Sequence, residues 1–305
     1  MATSSLRPPP KRILALYGPT ASGKTAVAGL LREHLGAEVI SADSASLYAG
    51  LPILTAAPPY PARLVAVTPV TDAMSVGAYQ RLARSAIDEV LAADQLPLLV
   101  GGTGLYLRAA LAELALPPAS HRRAFWDEEY ARLGAQQAHA QLLVRDPRAA
   151  ARVHANDRKR VVRALELAEA GASLMPLTDR LWTEETRLPT TIVALEVPPA
   201  ELDRRIEERT RAMVDQGVVE EARAAWAAGP SETAAKVLGL EQFATLPVDE
   251  AVLQVTQSTR RLARYQRKWL RRMPGVVTLD GNRPAEEIVD EIVALERPGE
   301  RLPRH

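Results

Sequence analysis

The chain has 305 residues, 47% of them hydrophobic, and a formal net charge of +1, so any nucleic-acid surface must be local. Because it contains no cysteine and only five scattered histidines, disulfides and thiolate metal sites are excluded and a zinc centre is disfavoured. No apolar run reaches the ~18 residues of a membrane span, and residues 1–12 lack the core of a signal peptide, which predicts a cytoplasmic protein without a membrane partner.

Residues 1–11 are polar and rich in proline, and we expect them to be disordered. Strands and helices then alternate, which predicts an α/β fold: a parallel sheet with helices on both faces. The predicted strands are Ile13–Tyr17, Ala37–Ser41, Leu96–Val100, Thr190–Val197 and, at the sheet edge, Val276–Asp280. The predicted helices of this part are Thr25–Leu35, Tyr79–Ala92, Leu105–Leu114, Pro199–Gln216, Val218–Ala228 and Val248–Arg272.

A different pattern, with helical periodicity only, fills the middle of the chain. Its predicted helices are Trp126–Leu133, Ala138–Val144 and Arg158–Ala170, and Pro117 and Pro118 mark its start. We therefore predict a discontinuous α/β core at 12–115 and 188–296, interrupted by an all-helical insertion domain at 116–187. A loose tail is expected at 297–305.

A phosphate-binding loop stands between the first strand and the first helix. It fits the pattern of two glycines five residues apart followed by Lys-Thr. Its residues are Gly18, Pro19, Thr20, Ala21, Ser22, Gly23, Lys24 and Thr25. Glycines let the backbone turn its N–H groups toward one phosphate, the lysine adds positive charge, and the threonine hydroxyl suits Mg²⁺. This P-loop predicts a di- or triphosphate ligand.

A carboxylate follows the second strand, in the segment Ser41-Ala42-Asp43-Ser44. The carboxyl ends of strands beside a phosphate loop form the usual ligand crevice of open α/β sheets. Asp43 could therefore bind Mg²⁺ or accept a proton from a nucleophile, or it could only cap a short helix at 44–48. Gly101–Gly104, after the third strand, indicates a tight turn more than a site.

Two basic clusters stand out. Arg158, Lys159, Arg160 and Arg163 form the first, and the second places seven cations and no acid within 260–272. A helix with charges of one sign favours a polyanionic partner, unless acids elsewhere, such as those of 284–296, balance it. Tyr265 and Trp269 lie four residues apart within the second cluster, a spacing that favours contact with the core over base stacking.

Together these segments resemble the tRNA dimethylallyltransferases, also called tRNA isopentenyltransferases. The resemblance runs from residue 13 to about 280. It rests on Gly18–Thr25, Ile40–Tyr48, Leu99–Tyr106, Asp146–Asn156 with Asp157–Glu166, Arg209–Glu221 and Thr259–Arg272. These segments occur in the family's order, which makes the combination far more specific than any single motif.

The resemblance implies transfer of a dimethylallyl group from its diphosphate to the exocyclic amine of the adenosine 3′ of a tRNA anticodon. Asp43, Thr103 and Lys24 would be catalytic, and Gly18–Thr25 would bind the diphosphate with Mg²⁺ at Thr25. The implied tRNA contacts, toward the anticodon arm, are Asp43, Ser44, Ala45, Ser46, Thr103, Arg123, Lys159, Arg160, Val161, Val162, Arg163, Arg264, Gln266 and Arg271. We also expect a monomer.

Two segments depart from the family pattern. The family's Arg-Ala-Val-Gly-Tyr-Arg-Gln is here 236–242, with Leu240 for the aromatic residue and Glu241 for the second arginine. The family's Gly-Thr-Ala-Lys-Pro is 54–58, with Ala57 for the lysine. Glu241 would repel phosphate unless it pairs with a cation such as Lys236.

Three alternatives stay open at this point. A prenyltransferase acting on free adenine nucleotides would need neither the helical insertion nor the basic helix. A small-molecule or nucleoside kinase would share the phosphate loop but leave the basic helix unexplained. The departures also allow a tRNA-binding protein without catalysis.

Overall fold

The computed structural model describes residues 11–114, 116, 122–175 and 180–296. The predictions for 1–10, for Pro117 and Pro118 and for 297–305 lie outside the described residues. The chain divides into two compact units, one from residues 1–112 and 184–305 and the other from 113–183. The insertion domain was predicted at 116–187.

The first unit is built on a five-stranded sheet in which every strand pair is parallel, with the order β2-β3-β1-β4-β5. The strands are β1 (Ile13–Tyr17), β2 (Ala37–Ser41), β3 (Leu96–Gly101), β4 (Thr190–Glu196) and β5 (Val276–Asp280). The predicted α/β fold with a parallel, P-loop-like sheet is confirmed, and β5 lies at the sheet edge as expected.

Helices cover both faces of this sheet because alternate strand residues point to opposite sides. The helices that flank it are α1 (Lys24–Leu35), α3 (Val76–Ala92), α4 (Gly104–Leu111) and α13 (Ala285–Glu296), and the short α2 (Pro52–Thr55) lies between α1 and α3 in the chain. Ile13 and Tyr17 of β1 pack in the core cluster of α3 and α4. Leu14 and Leu16 pack in that of α1 and α13.

Further helices pack together beside the sheet. They are α9 (Pro199–Asp215), α10 (Val218–Ala227), α11 (Leu240–Thr245) and α12 (Val248–Leu270). A third apolar cluster unites them with α2, and Leu54, Val218, Leu240, Phe243 and Val255 are buried in it. In this unit the largest shifts of a predicted helix boundary are of three residues: α3 begins at Val76 rather than at Tyr79, and α4 ends at Leu111 rather than at Leu114. The helices α2, α11 and α13 have no counterpart among the predicted helices.

The second unit is helical wherever the structure describes it. Its helices are α5 (Arg123–Leu133), α6 (Ala135–Arg145), α7 (Pro147–Ala150) and α8 (Arg158–Glu169). Asp146 caps α7 through Ala149 N, and Asp157 caps α8 through Arg160 N. Within the described residues no helix is long and apolar enough to span a membrane.

One glycine is required by the close approach of two strand ends. A Cβ at Gly101, the last residue of β3, would lie 2.2 Å from the carbonyl oxygen of Ala42, just after β2. We therefore expect Gly101→Ala to force the backbone apart and to lower the free energy of unfolding by about 1–3 kcal/mol. Chemical denaturation measures this change in the free energy of unfolding.

Gly77→Ala is the matched control, because a Cβ at Gly77 would lie 4.0 Å from Ser75 Oγ, an ordinary van der Waals distance. Its free energy of unfolding should change by less than about 0.5 kcal/mol. Equal stabilities of the two variants would contradict the close approach at Gly101.

Candidate active site

The phosphate loop leaves β1 at Tyr17 and enters α1 at Lys24. Two of its residues have left-handed backbone conformations, Ala21 with φ 62° and Gly23 with φ 90°. Ser22 N donates to Pro19 O at 3.2 Å, which closes the turn. Such a turn before a helix directs successive N–H groups to one side and forms an anion-binding concavity.

Two side chains from distant helices hold the loop at Thr20. Gln266 Oε1 of α12 accepts a 2.8 Å hydrogen bond from Thr20 N. Arg209 Nη1 of α9 donates to Thr20 Oγ1 at 3.0 Å. Gln266 is itself fixed, because Tyr17 OH donates to its carbonyl oxygen at 3.0 Å. The loop is therefore shaped by the helices that pack over it as well as by its own glycines.

A cleft of about 450 Å³ opens over this loop. One part of its lining is polar, with Lys24, Thr25, Asp43 and Arg209. The other part is apolar and comes from α2, α9, α12 and their connecting segments. It includes Leu54, Val65, Ile206, Met213, Val237, Leu238, Val255 and Leu262. Such a lining suits a ligand with a charged end and a hydrocarbon end.

The two cations of the cleft are held in conditions that favour an anionic ligand. Burial lowers the pKa of Lys24 to about 8; Asp43 opposes this shift and Arg209 adds to it. Burial also lowers the pKa of Arg209, again opposed by Asp43. Lys24 Nζ donates to Pro19 O at 2.7 Å. An anion bound here would compensate both partly buried charges.

Arg209 lines the cleft, but the sequence analysis assigned it no role. It lies in a segment that matches the family pattern, without a stated function. The signal was its position: α9 buries Leu202, Ile206 and Met213, and Arg209 lies on that face by helical spacing. A cation on an apolar helix face needs an anion as its partner there.

Asp43 lies in a turn after β2, and residues 44–47 form turns rather than a helix. The helix-cap alternative is therefore wrong, because no helix follows. The carboxylate still binds the backbone locally, since Asp43 Oδ1 accepts from Ala45 N at 3.0 Å. Ser46 Oγ donates to Asp43 O at 3.1 Å. These bonds fix the carboxylate at the edge of the cleft.

Thr103, at the start of α4, lies beside the Asp43 turn because β2 and β3 are neighbours. Its Oγ1 accepts from Ser44 N at 3.3 Å and lies 3.4 Å from Ser44 Oγ. Ala45 and Ser46 line the cleft, whereas Thr103 and Ser44 are not among the described residues of its lining. Thr103 and Ser44 thus flank the cleft.

The cations of the basic helix α12 differ in whether they form ion pairs. Arg260 pairs with Asp203 and Glu207, and Arg267 pairs with Glu196. Acids elsewhere in the fold therefore balance part of the cluster, and the partners of these two arginines lie in α9 and β4 rather than in 284–296. Arg264 and Arg271, both expected to contact tRNA, are exposed and have no ion pair within the described parts of the chain.

Two residues of α12 differ from expectation. Tyr265 is 57% exposed, so its predicted contact with the core is wrong, whereas Trp269 packs against the sheet cluster. Gln266, also expected to contact tRNA, is buried and its side chain binds the phosphate loop.

In the second unit, the expected tRNA contacts divide by burial. Arg123, Lys159 and Arg160 are exposed, and Arg163 pairs with the buried Glu166 at 2.8 Å. Val161 and Val162 are buried in the apolar cluster of this unit. Their predicted side-chain contact with tRNA is corrected, because their helix turns that face inward.

The two divergent segments differ in their relation to the cleft. Ala57 lines it, so the lysine of the family pattern is missing from the cleft itself. Leu240 is buried among the apolar side chains of α10–α12. Glu241 is exposed in the first turn of α11, where an acid suits the helix dipole. Its expected pairing with Lys236 is wrong, because Lys236 pairs with Glu232 at 2.6 Å.

The donors near the loop suit a magnesium ion carried by a diphosphate. Thr25 and Asp43 both line the cleft and offer a hydroxyl and a carboxylate. The described residues contain no group of three or more His, Cys, Asp or Glu side chains that could hold a metal. Mg²⁺ keeps several waters and binds through few protein ligands together with substrate phosphates, which fits this donor set.

Comparison with known proteins identifies relatives along most of the chain. The sequence model of the IPP transferase family matches residues 46–273. A tRNA dimethylallyltransferase of Streptomyces griseus is 39% identical over 284 residues, which cover 88% of this chain and 90% of the relative. A tRNA dimethylallyltransferase of Anaeromyxobacter is 41% identical over 284 residues, with coverages of 87% and 93%.

Solved structures agree with these relatives. The tRNA isopentenylpyrophosphate transferase of Bacillus halodurans is 29% identical and superimposes with a TM-score of 0.66, covering 92% of this chain and 94% of that chain. A eukaryotic dimethylallyltransferase acting on tRNA shares the fold, with a TM-score of 0.79 at 20% identity, covering 94% and 78%. The family match and the identity over most of both chains show that this chain belongs to the IPP transferase family.

Proposed function

We propose that this protein transfers a dimethylallyl group from dimethylallyl diphosphate to the exocyclic amine of the adenosine 3′ of a tRNA anticodon. The observation that carries the proposal is that a phosphate loop, two partly buried cations and a carboxylate meet at one cleft with an apolar side. The tRNA substrate is that of the curated relatives. Membership of their family argues against the kinase and free-nucleotide alternatives.

The diphosphate is held by the loop. The loop N–H groups that are not already bonded within the protein, those of Ala21, Gly23, Lys24 and Thr25 among them, act together with the side chains of Lys24 and Arg209. They stabilise the charge that grows on the leaving oxygen as its bond to the dimethylallyl carbon breaks. Mg²⁺ would be held by the Thr25 hydroxyl together with the diphosphate and would add charge neutralisation, which leaves Asp43 free to act as a base. The hydrocarbon then lies along the apolar lining, where water is excluded.

The acceptor amine approaches at the carboxyl ends of β2 and β3. Its nitrogen forms the new bond to carbon as diphosphate leaves, and its proton passes to the Asp43 carboxylate as general base. Thr103, hydrogen-bonded to Ser44 next to Asp43, supports the amine from the same edge of the cleft. The adenosine must leave its stack to enter such a cleft. The exposed cations of α8 and α12 hold the anticodon arm through its phosphates.

The proposal is tested by incubating the protein with dimethylallyl diphosphate, Mg²⁺ and unmodified tRNA and then analysing the tRNA nucleosides by mass. A dimethylallyl-modified adenosine at the position 3′ of the anticodon is expected. A tRNA that stays unmodified while binding normally would point to a binding protein without catalysis.

We predict that Asp43→Asn lowers the rate of prenyl transfer by about 10²–10⁴-fold, because the amide cannot accept the proton. Binding of tRNA should persist. Single-turnover kinetics measures the rate, with Asp94→Asn as the matched control because Asp94 is exposed outside the cleft lining. A normal rate in Asp43→Asn would remove Asp43 from the chemistry.

The pKa of Lys24, about 8, predicts a pH dependence of diphosphate binding. Below this value the side chain is charged and binds the anion, and above it the charge is lost. The dissociation constant of inorganic pyrophosphate should therefore rise above pH 8, by up to tenfold per unit. The Lys24→Met variant should bind pyrophosphate more weakly and should lack this rise. Because pyrophosphate itself titrates in both experiments, the difference between the two pH profiles reports the titration of Lys24. Identical pH profiles would contradict the prediction.

A further inference from the structure

An exposed aromatic side chain on α12 has no role in the mechanism above. Tyr265 is 57% exposed, and its ring lies edge-on to Trp269 with 6.5 Å between centroids and an interplanar angle of 72°. Trp269 is fixed from behind, because it packs so closely on Gly104 that a Cβ there would meet its ring at 2.5 Å. One ring is therefore anchored and supports the other, whose face stays open to solvent.

The surroundings of Tyr265 are basic. Arg261, Arg264, Lys268 and Arg271 are exposed on the same helix. None of the four has an ion-pair partner in the part of the chain that the structure describes, whereas Arg260 and Arg267 do. Exposed cations without acidic partners repel one another along a helix, so this cluster around the aromatic ring does not stabilise the fold. The combination is typical of surfaces that bind unstacked nucleotides.

Tyr265 also lies at the edge of the cleft. On a helix with 3.6 residues per turn it falls between the basic face, with Lys268, and the face of Leu262 and Gln266, both of which line the cleft. Tyr17, the last strand residue before the phosphate loop, donates its hydroxyl to the backbone oxygen of Gln266, the residue after Tyr265, at 3.0 Å. The helix therefore crosses the start of the phosphate loop beside Tyr265. A polynucleotide whose adenosine enters the cleft from the side of α12 passes this point.

We propose that Tyr265 stacks on the base of a nucleotide adjacent to the target adenosine, with Trp269 as its support and Arg264 and Lys268 on the neighbouring phosphates. This inference rests on the proposed function and extends it to how the RNA is held open. Extruding one base unstacks its neighbours, which need a new surface. An aromatic ring provides it for any base, because every base has a π-face.

The test uses an anticodon stem-loop RNA with 2-aminopurine one nucleotide before or one nucleotide after the target adenosine. Stacking on Tyr265 should quench one of the two probes when the wild-type protein binds. Tyr265→Ala should abolish this quenching and weaken RNA binding by about 5- to 100-fold. Tyr265→Phe should keep both, because it retains the ring.

Two controls separate stacking from charge and from folding. Leu253→Ala removes another exposed side chain of α12, 59% exposed, and should bind RNA like the wild type. Arg264→Ala should lower the dependence of log affinity on log salt concentration by about 0.7–0.9. Tyr265→Ala should leave that slope unchanged, since it removes no phosphate contact.

Three results would overturn the inference: unchanged affinity in Tyr265→Ala, an equal loss in Tyr265→Phe, or a reduced salt slope in Tyr265→Ala. Its failure is distinguishable from failure of the proposed function. If wild-type protein modifies tRNA and Tyr265→Ala binds equally well, only the stacking role is wrong. If the wild type neither modifies nor binds tRNA, the proposed function itself is wrong.

Discussion

The hydrogen bond from Thr20 N to Gln266 Oε1, 2.8 Å long, joins the parts of the molecule on which the rest depends. It fastens the phosphate loop, which follows the central strand of the sheet, to α12, which carries the basic surface. Tyr17 secures the same glutamine from the strand. The glycine at position 102 makes room for this side chain, because a Cβ there would lie 2.4 Å from Gln266 Nε2. The geometry of the loop and that of the basic helix are thereby linked.

This arrangement places positive charge where folding alone disfavours it. Lys24 and Arg209 lose hydration when they are buried, and Asp43 compensates each only in part. A site that holds charge under these conditions is organised in advance for an anion, and it need not reorient when negative charge develops. The absence of a third cation at Ala57, a cleft position where the family pattern has lysine, leaves Lys24 and Arg209 with a larger share of that work.

Local patterns in the sequence were sufficient for the strand–loop–helix unit at 13–35 and for the sheet class, because each depends on neighbours along the chain. The contact of Arg209 with Thr20 joins residues 189 positions apart and has no local signal beyond a cation on an apolar face. The exposure of Tyr265 also could not be read from spacing, because an aromatic pair four residues apart fits a core and a surface equally well. Likewise, the partners of Arg260 and Arg267 come from α9 and β4, which only the tertiary fold brings near.

The central claim is that one cleft holds diphosphate on the phosphate loop and the acceptor amine at Asp43. A crystal structure of the protein with an unreactive thio analogue of dimethylallyl diphosphate and an anticodon stem-loop tests it most directly. The account predicts the diphosphate within hydrogen-bond distance of Lys24, Arg209 and the loop N–H groups, with the adenine amine beside Asp43. A diphosphate bound away from the loop, or an adenosine still stacked in the RNA, would contradict it.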